Sequence, residues 1–173
     1  MKIVLIGYMG SGKSSIGRRL SEVVGNDFID LDVEIETSEG TSISEIFQKK
    51  GEIYFRKKEA QVLQEVIARE QPAIIASGGG TPCYGRVMDD LLENPNVITV
   101  YLKCSVDTLT ERLFPEREHR PVIAHLQTEE LLNDFIRKHL FERSFYYSRA
   151  SHIITCDGID EKEVVEKILF ALF

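Results

Sequence analysis

No apolar run in this sequence approaches the length needed to cross a bilayer, so no membrane role is expected. Positive charge is also scarce. Against 28 Asp and Glu stand 21 Lys and Arg, a formal net charge of −7. That balance argues against nucleic acid or an anionic membrane surface as the main partner. Basic residues that meet phosphate must therefore be local clusters. Cysteine is limited to Cys83, Cys104 and Cys156, with no CxxC pair, and such scattered thiols suit a reducing cytoplasm. His119, His125, His139 and His152 show no metal-ligand spacing. Repeats, low-complexity tracts and linkers are absent too, so residues 1–173 are expected to form one domain with a real core. Lys2 and the apolar residues after it mimic the start of a signal peptide. The run stops at Gly7, too short for a leader, and none is expected.

What is present begins at Gly7. Gly7-Tyr8-Met9-Gly10-Ser11-Gly12-Lys13-Ser14 fits the pattern G-x-x-x-x-G-K-[ST]. Lys2-Ile3-Val4-Leu5-Ile6 before it reads as a buried strand, and Ile16, Leu20, Val23 and Val24 after it fall at near-helical spacing. Strand, glycine loop and helix are the context that this phosphate-binding motif requires. Backbone N–H groups at Gly10, Ser11, Gly12, Lys13, Ser14 and Ser15 are expected to converge on nucleotide phosphates, helped by the helix N-terminus. Lys13 would reach the outer phosphates, and the Ser14 hydroxyl would ligate Mg2+. The alternative, a plain glycine turn with Lys13 on a solvated face, leaves that flanking pattern unexplained. The chain is expected to bind a nucleoside triphosphate.

Further strand candidates at Phe28–Asp30, Ala73–Ser77, Val97–Leu102 and Ile153–Thr155 alternate with helical patterns. Alternation of this kind predicts a parallel sheet covered by helices on both faces. Ser42 with Glu45 reads as a capping box, with Gly51 as the stop of that helix, and Asp160 with Glu163 opens the last helix. Long helical patterns run over residues 54–68 and 128–147.

Several short segments carry chemistry. Asp30-Leu31-Asp32 follows a strand, and residues two apart in extended chain point the same way. One carboxylate would suit magnesium and the other a hydroxyl attacking a γ-phosphate, unless Asp32 only caps a helix starting near Val33. Arg56 and Glu59 lie three apart on a helix. On the surface such a pair contributes a few tenths of a kcal/mol; in a cleft, Glu59 would hold the Arg56 fork for a carboxylate. Gly78-Gly79-Gly80 costs backbone entropy, which suggests close approach of a ligand or another backbone, with a tight turn as the alternative. Phe114-Pro115-Glu116-Arg117-Glu118-His119-Arg120-Pro121 is charged and bracketed by prolines. It is either a solvated loop or a lid that delivers arginine to the phosphates.

Taken together, these motifs resemble the shikimate kinases along nearly the whole chain. The resemblance rests on the P-loop, Phe28-Ile29-Asp30-Leu31-Asp32, Phe55-Arg56-x-x-Glu59, Gly78-Gly79-Gly80, Arg120-Pro121 and Arg143-x-x-x-Tyr147. It implies a three-layer α/β/α fold of the nucleoside-monophosphate-kinase type, with a five-stranded parallel sheet of order 2-3-1-4-5. A lid over residues 113–124 and a substrate-binding helical region over residues 32–60 are implied with it. The implied reaction is Mg2+-dependent transfer of the ATP γ-phosphate to the 3-hydroxyl of shikimate, with ATP and shikimate as the only partners of a cytoplasmic monomer. By position, Asp32 would bind and orient the shikimate hydroxyls, Arg56 and Arg143 would clamp its carboxylate, and Gly78, Gly79 and Gly80 would approach it. Lys13 and Arg120 would serve catalysis at the phosphates, and Asp30 would join Ser14 in the metal shell.

The lid departs from the family's usual Arg-Pro-Leu-Leu at Val122-Ile123. Arg112 and Arg117 compete for a second lid arginine, Asp157-Gly158 is the candidate base loop, and Tyr146 competes with Tyr147. A gluconate kinase would usually carry Gly between the aspartates and His soon after, where this chain has Leu31 and no nearby His. A GTPase would need Asn-Lys-x-Asp, which is missing. A silent nucleotide-binding domain would leave the set of Lys13, Asp32, Arg56 and Arg143 without purpose.

Overall fold

Strand formation follows the apolar runs. In the computed structural model, which describes all residues from Met1 to Phe173, the strands are β1 (Lys2–Ile6), β2 (Asp27–Asp30), β3 (Ala73–Ala76), β4 (Val97–Lys103) and β5 (His152–Thr155). Each expected strand is present to within one residue at its ends. All pairings are parallel, in the order β2-β3-β1-β4-β5, as the resemblance implied. β1 and β3 are buried at every position because helices cover both faces of the sheet centre. The buried side chains form one hydrophobic cluster of 36 residues.

The helices are α1 (Lys13–Val24), α2 (Leu31–Glu39), α3 (Ile43–Ala68), α4 (Val87–Glu93), α5 (Val106–Leu113), α6 (Glu129–Tyr147) and α7 (Glu161–Leu172). None is long and apolar enough to cross a membrane. Capping side chains start most of them. Ser105 accepts from Thr108 N, Thr128 from Leu131 N, and Asp160 forms the full reciprocal box with Glu163. Ser42 caps α3 through Glu45 N, but the Glu45 carboxylate is taken by the Thr41 hydroxyl, so that box is only half made. Gly51 is non-helical at φ 82° and ψ 172°, dividing α3 where the sequence placed a stop. Only glycine adopts that conformation without strain.

The expected helix near Val33 begins at Leu31, and its cap is Asp30, not Asp32. The two aspartates therefore do not share a face by strand alternation, because the chain has already turned helical between them. The loops after β1, β3, β4 and β5 all leave the carboxyl ends of parallel strands. In an open α/β sheet, that edge is where ligands bind.

Candidate active site

A phosphate site is built first by what α1 lacks. Its N-cap is Gly12, at φ 93°, and no side chain caps its first turn. Helices α2, α3, α5, α6 and α7 are all capped by side chains. The orphan N–H groups of α1 thus stay free for an anion, with the positive end of the dipole behind them. Lys13 is buried, and its Nζ donates to the carbonyls of Gly7 at 2.7 Å and Tyr8 at 2.9 Å. Burial pushes its pKa down to about 8; Arg120 and Arg143 add to the effect and Asp32 opposes it. The Ser14 hydroxyl donates to Asp30 Oδ2 at 2.9 Å. These two oxygens are hard donors that could hold a divalent metal ion.

The loop opens onto a cleft of about 700 Å³. Gly10, Gly12, Lys13, Ser14 and Ser15 line it, facing Asp30, Asp32, Gly78 and Gly79. Ser11 does not line it. Its hydroxyl is buried without a partner, and its N–H donates to Tyr8 O at 3.2 Å, so Ser11 belongs to the frame of the loop. Ser15 is tied by its hydroxyl to Glu161 at the start of α7.

The triple glycine is the second organising feature. None of the three glycines has positive φ, so space rather than conformation demands them. A Cβ on Gly80 would lie 2.7 Å from Arg56 Nη1 and 3.0 Å from Arg56 Cζ. On Gly79 it would lie 3.2 Å from Arg143 Nη1, and on Gly78 3.1 Å from Glu59 Oε1 and 3.3 Å from Asp32 Oδ1. Three consecutive residues therefore receive the two arginines and the carboxylate that the sequence singled out. A turn is present as well, with Thr81 N donating to Gly78 O at 3.2 Å.

Arg56 and Glu59 are not a surface pair: they pack against the glycine run. Glu59 is 2% exposed. It accepts from Arg56 Nη1 at 2.9 Å and from the Thr81 hydroxyl at 2.6 Å. The Arg56 guanidinium also lies 4.0 Å over the Tyr84 ring. Held on one side and stacked on the other, the fork is oriented in advance for a planar anion. Arg143 pairs with no carboxylate, which leaves its charge available. Tyr147 is fully buried, and its hydroxyl donates to Gly79 O at 2.5 Å, so Tyr147 and not Tyr146 is the residue that meets the glycines.

Asp32 makes no side-chain hydrogen bond. Burial, then the nearby charges of Asp30 and Glu59, raise its pKa to about 6, with Lys13 opposing. A carboxylate in that range is suited to accept a proton near neutral pH. Asp30, by contrast, is occupied by Ser14 and the α2 cap.

The charged stretch after α5 forms a 3-10 helix over Phe114–His119 and a following turn pinned by fully buried Ile123. Val122 is exposed, so the departure from Leu-Leu puts isoleucine in the buried place. Arg120 faces the cleft and pairs with Glu116 at 3.2 Å. Arg112 also lines the cleft and donates to Gly10 O at 3.2 Å, whereas Arg117 folds onto the Phe114 ring at 4.0 Å. The second arginine at the cleft is therefore Arg112. The far wall is Cys156, Ile159, Asp160 and Glu161. Asp157 is not part of it, because its carboxylate accepts from Ser105 N at 2.8 Å. Sequence reasoning missed this wall and also Ser77, whose hydroxyl donates to Leu5 O at 2.9 Å beside the cleft. Only its place at the end of β3, before the glycines, signalled it.

Comparison with known proteins fits this geometry. The shikimate kinase family model matches residues 9–173. A shikimate kinase of Flavobacterium johnsoniae is 48% identical over 97% of this chain and 96% of its own length. The solved shikimate kinase of Bacteroides thetaiotaomicron superposes with a TM-score of 0.90 at 31% identity, covering 99% of this chain and 98% of that one. That of Acinetobacter baumannii, solved in complex with shikimate, gives a TM-score of 0.81 at 31% identity over 99% and 92%.

The raised pKa of Asp32 has a consequence for stability. Its ionised form is disfavoured in the folded chain, so the penalty is absent below the unfolded value of 3.8 and complete above about 6. Asp32→Asn is expected to stabilise the ligand-free chain by about 1–3 kcal/mol at about pH 7.5 and by nothing near about pH 3.5. Urea unfolding midpoints at the two pH values check this.

Proposed function

The chain belongs to the shikimate kinase family, and we infer from that membership and its site that it is an ATP:shikimate phosphotransferase. It transfers the γ-phosphoryl group of ATP to the 3-hydroxyl of shikimate, giving shikimate 3-phosphate and ADP on the route to chorismate and the aromatic amino acids. The observation that carries the assignment of roles is the convergence of Arg56, Arg143 and Asp32 on Gly78–Gly80 beside the P-loop cleft. Shikimate is a small anion with a carboxylate at one end and vicinal hydroxyls at the other. Two guanidinium groups suit the first end and a carboxylate suits the second.

In the mechanism we propose, Arg56 and Arg143 hold the substrate carboxylate while the backbone of Gly78, Gly79 and Gly80 lies against the ring. Asp32 orients the attacking hydroxyl and takes its proton as the new O–P bond forms and the bond to the ADP oxygen breaks. Its pKa of about 6 leaves it ionised at neutral pH, ready for that proton. Lys13 leaves the carbonyls of Gly7 and Tyr8 for the phosphate oxygens, and Arg120 adds a second positive charge there. Positioning and charge neutralisation supply most of the catalysis in this class of reaction. Ser14 and Asp30 fit Mg2+ as hard oxygen donors, and no cluster of three protein ligands competes with them. When bound, the ion would neutralise charge on the terminal phosphates. We assign the lid to residues 113–124, which close the cleft and exclude water that would otherwise accept the phosphoryl group. The acceptor region spans residues 32–60. We take the enzyme to be a monomer, and its biosynthetic role together with three unpaired cysteines supports a cytoplasmic one.

The direct test is ADP release from MgATP with shikimate, gluconate, a nucleoside monophosphate or no acceptor. Release that depends on shikimate alone is expected, with shikimate 3-phosphate as the product. Protein that binds ATP yet ignores shikimate would overturn the assignment. Arg56→Lys keeps the charge but loses the fork. It is expected to cost about 1.5–3 kcal/mol in kcat/KM, mainly through KM for shikimate. An unchanged KM would remove Arg56 from the site.

A further inference from the structure

Tyr8 is a P-loop residue whose side chain leaves the phosphate site and reaches a distant helix. It is 1% exposed, and its hydroxyl is 2.9 Å from His139 Nδ1 on α6. The two rings meet edge to face at 5.4 Å, and the Phe135 ring also lies against His139 at 5.3 Å. Burial drives the Tyr8 hydroxyl well above its ordinary pKa and lowers that of His139 to about 4, with Arg143 adding to the latter. Both groups are therefore neutral, so the bond persists across physiological pH.

The same tyrosine also touches the phosphate lysine. Its carbonyl accepts from Lys13 Nζ at 2.9 Å. On α6, His139, Arg143 and Tyr147 recur every four residues, on one helical face. The first is bonded to the P-loop through Tyr8, and the last to the glycine run through Gly79 O. Arg143 stands between the two attachments, one turn from each. A phosphate that draws Lys13 away removes a charged partner from the Tyr8 carbonyl, and any settling of that peptide is delivered through the Tyr8 hydroxyl to α6.

We propose that Tyr8 and His139 are positioning residues that couple phosphate occupancy of the P-loop to the placement of Arg143, and hence to shikimate affinity. The proposal rests on the shikimate kinase assignment above. Coupling of this kind is reciprocal: whatever MgADP does to shikimate binding, shikimate does to MgADP binding by the same factor. Direct charge–charge interaction between the two sites would also couple them, but it needs neither the hydroxyl nor the imidazole.

Calorimetric titration of shikimate into the full chain, with and without saturating MgADP, separates these cases. In the unaltered chain the two dissociation constants are expected to differ by about fivefold or more. In Tyr8→Phe, His139→Leu and the double variant the difference is expected to shrink to within about twofold. The double variant should be no worse than either single one, as for two residues acting through one bond. Tyr8→Phe removes one oxygen and keeps the ring, so the core stays filled. Thr99→Val removes another buried hydroxyl, bonded to Ser151 at 3.1 Å. It controls for lost stability and should leave the difference intact. Persistence of the difference in Tyr8→Phe, its absence from the unaltered chain, or its loss in Thr99→Val would each overturn the proposal. Failure of the unaltered chain to bind shikimate at all, while binding MgADP, would instead sink the assignment of function.

Discussion

Everything at the acceptor side of this cleft depends on three missing Cβ atoms. Gly78, Gly79 and Gly80 end the run that follows β3, and against them pack, in turn, Glu59 with Asp32, then Arg143, then Arg56. These residues come from three helices, α2, α3 and α6. A methyl group at Gly80 would sit inside van der Waals distance of the Arg56 guanidinium. The glycine run is thus a floor on which groups of opposite charge can be set close together without touching each other's backbones. β3 fixes its height, because β3 lies between β1, which feeds the P-loop, and β2, which feeds Asp30.

That closeness sets the electrostatics. Lys13, Asp32 and Arg120 line the P-loop cleft, and Glu59, Arg143 and Arg56 lie beside it against the glycine run, so charges of both signs crowd together. Asp32 is raised toward neutrality by burial and two neighbouring carboxylates, while Lys13 is lowered by burial and two arginines. Both groups stay charged at neutral pH but titrate closer to it than an exposed Asp or Lys would, an arrangement common where proton transfer and phosphate binding take place. The fold tolerates it because 36 buried apolar residues elsewhere form a continuous core. The ion pair of Glu59 and Arg56 and the hydrogen bond from Thr81 remove what would otherwise be an isolated buried charge.

Much of this was legible in the residues. Short apolar runs with helical patterns between them determine the sheet, since each strand must be covered on both faces. Capping residues marked helix starts at Ser42 and Asp160, because caps are local chemistry. The P-loop pattern and its flanking strand and helix were legible, whereas the inward turn of the Ser11 side chain was not. Legibility ended where contacts became long-range. Asp30 and Asp32 were separated only by seeing which of them caps α2. Arg112 was separated from Arg117 only by seeing which one reaches Gly10 and which folds onto Phe114. Tyr8 and His139 are 131 residues apart, and no spacing rule joins them. The wall at Cys156 and Ile159 follows from β5 being an edge strand next to β4, a fact of topology that local pattern does not contain.

The claim that the glycine run is the floor of the shikimate site is tested most directly by Gly80→Ala, read as the shikimate dissociation constant beside that of MgADP. The added methyl displaces Arg56 but lies away from the P-loop. Shikimate affinity is expected to fall about tenfold or more, with MgADP affinity changed by less than about twofold. Shikimate binding that survives the substitution unchanged would contradict the account.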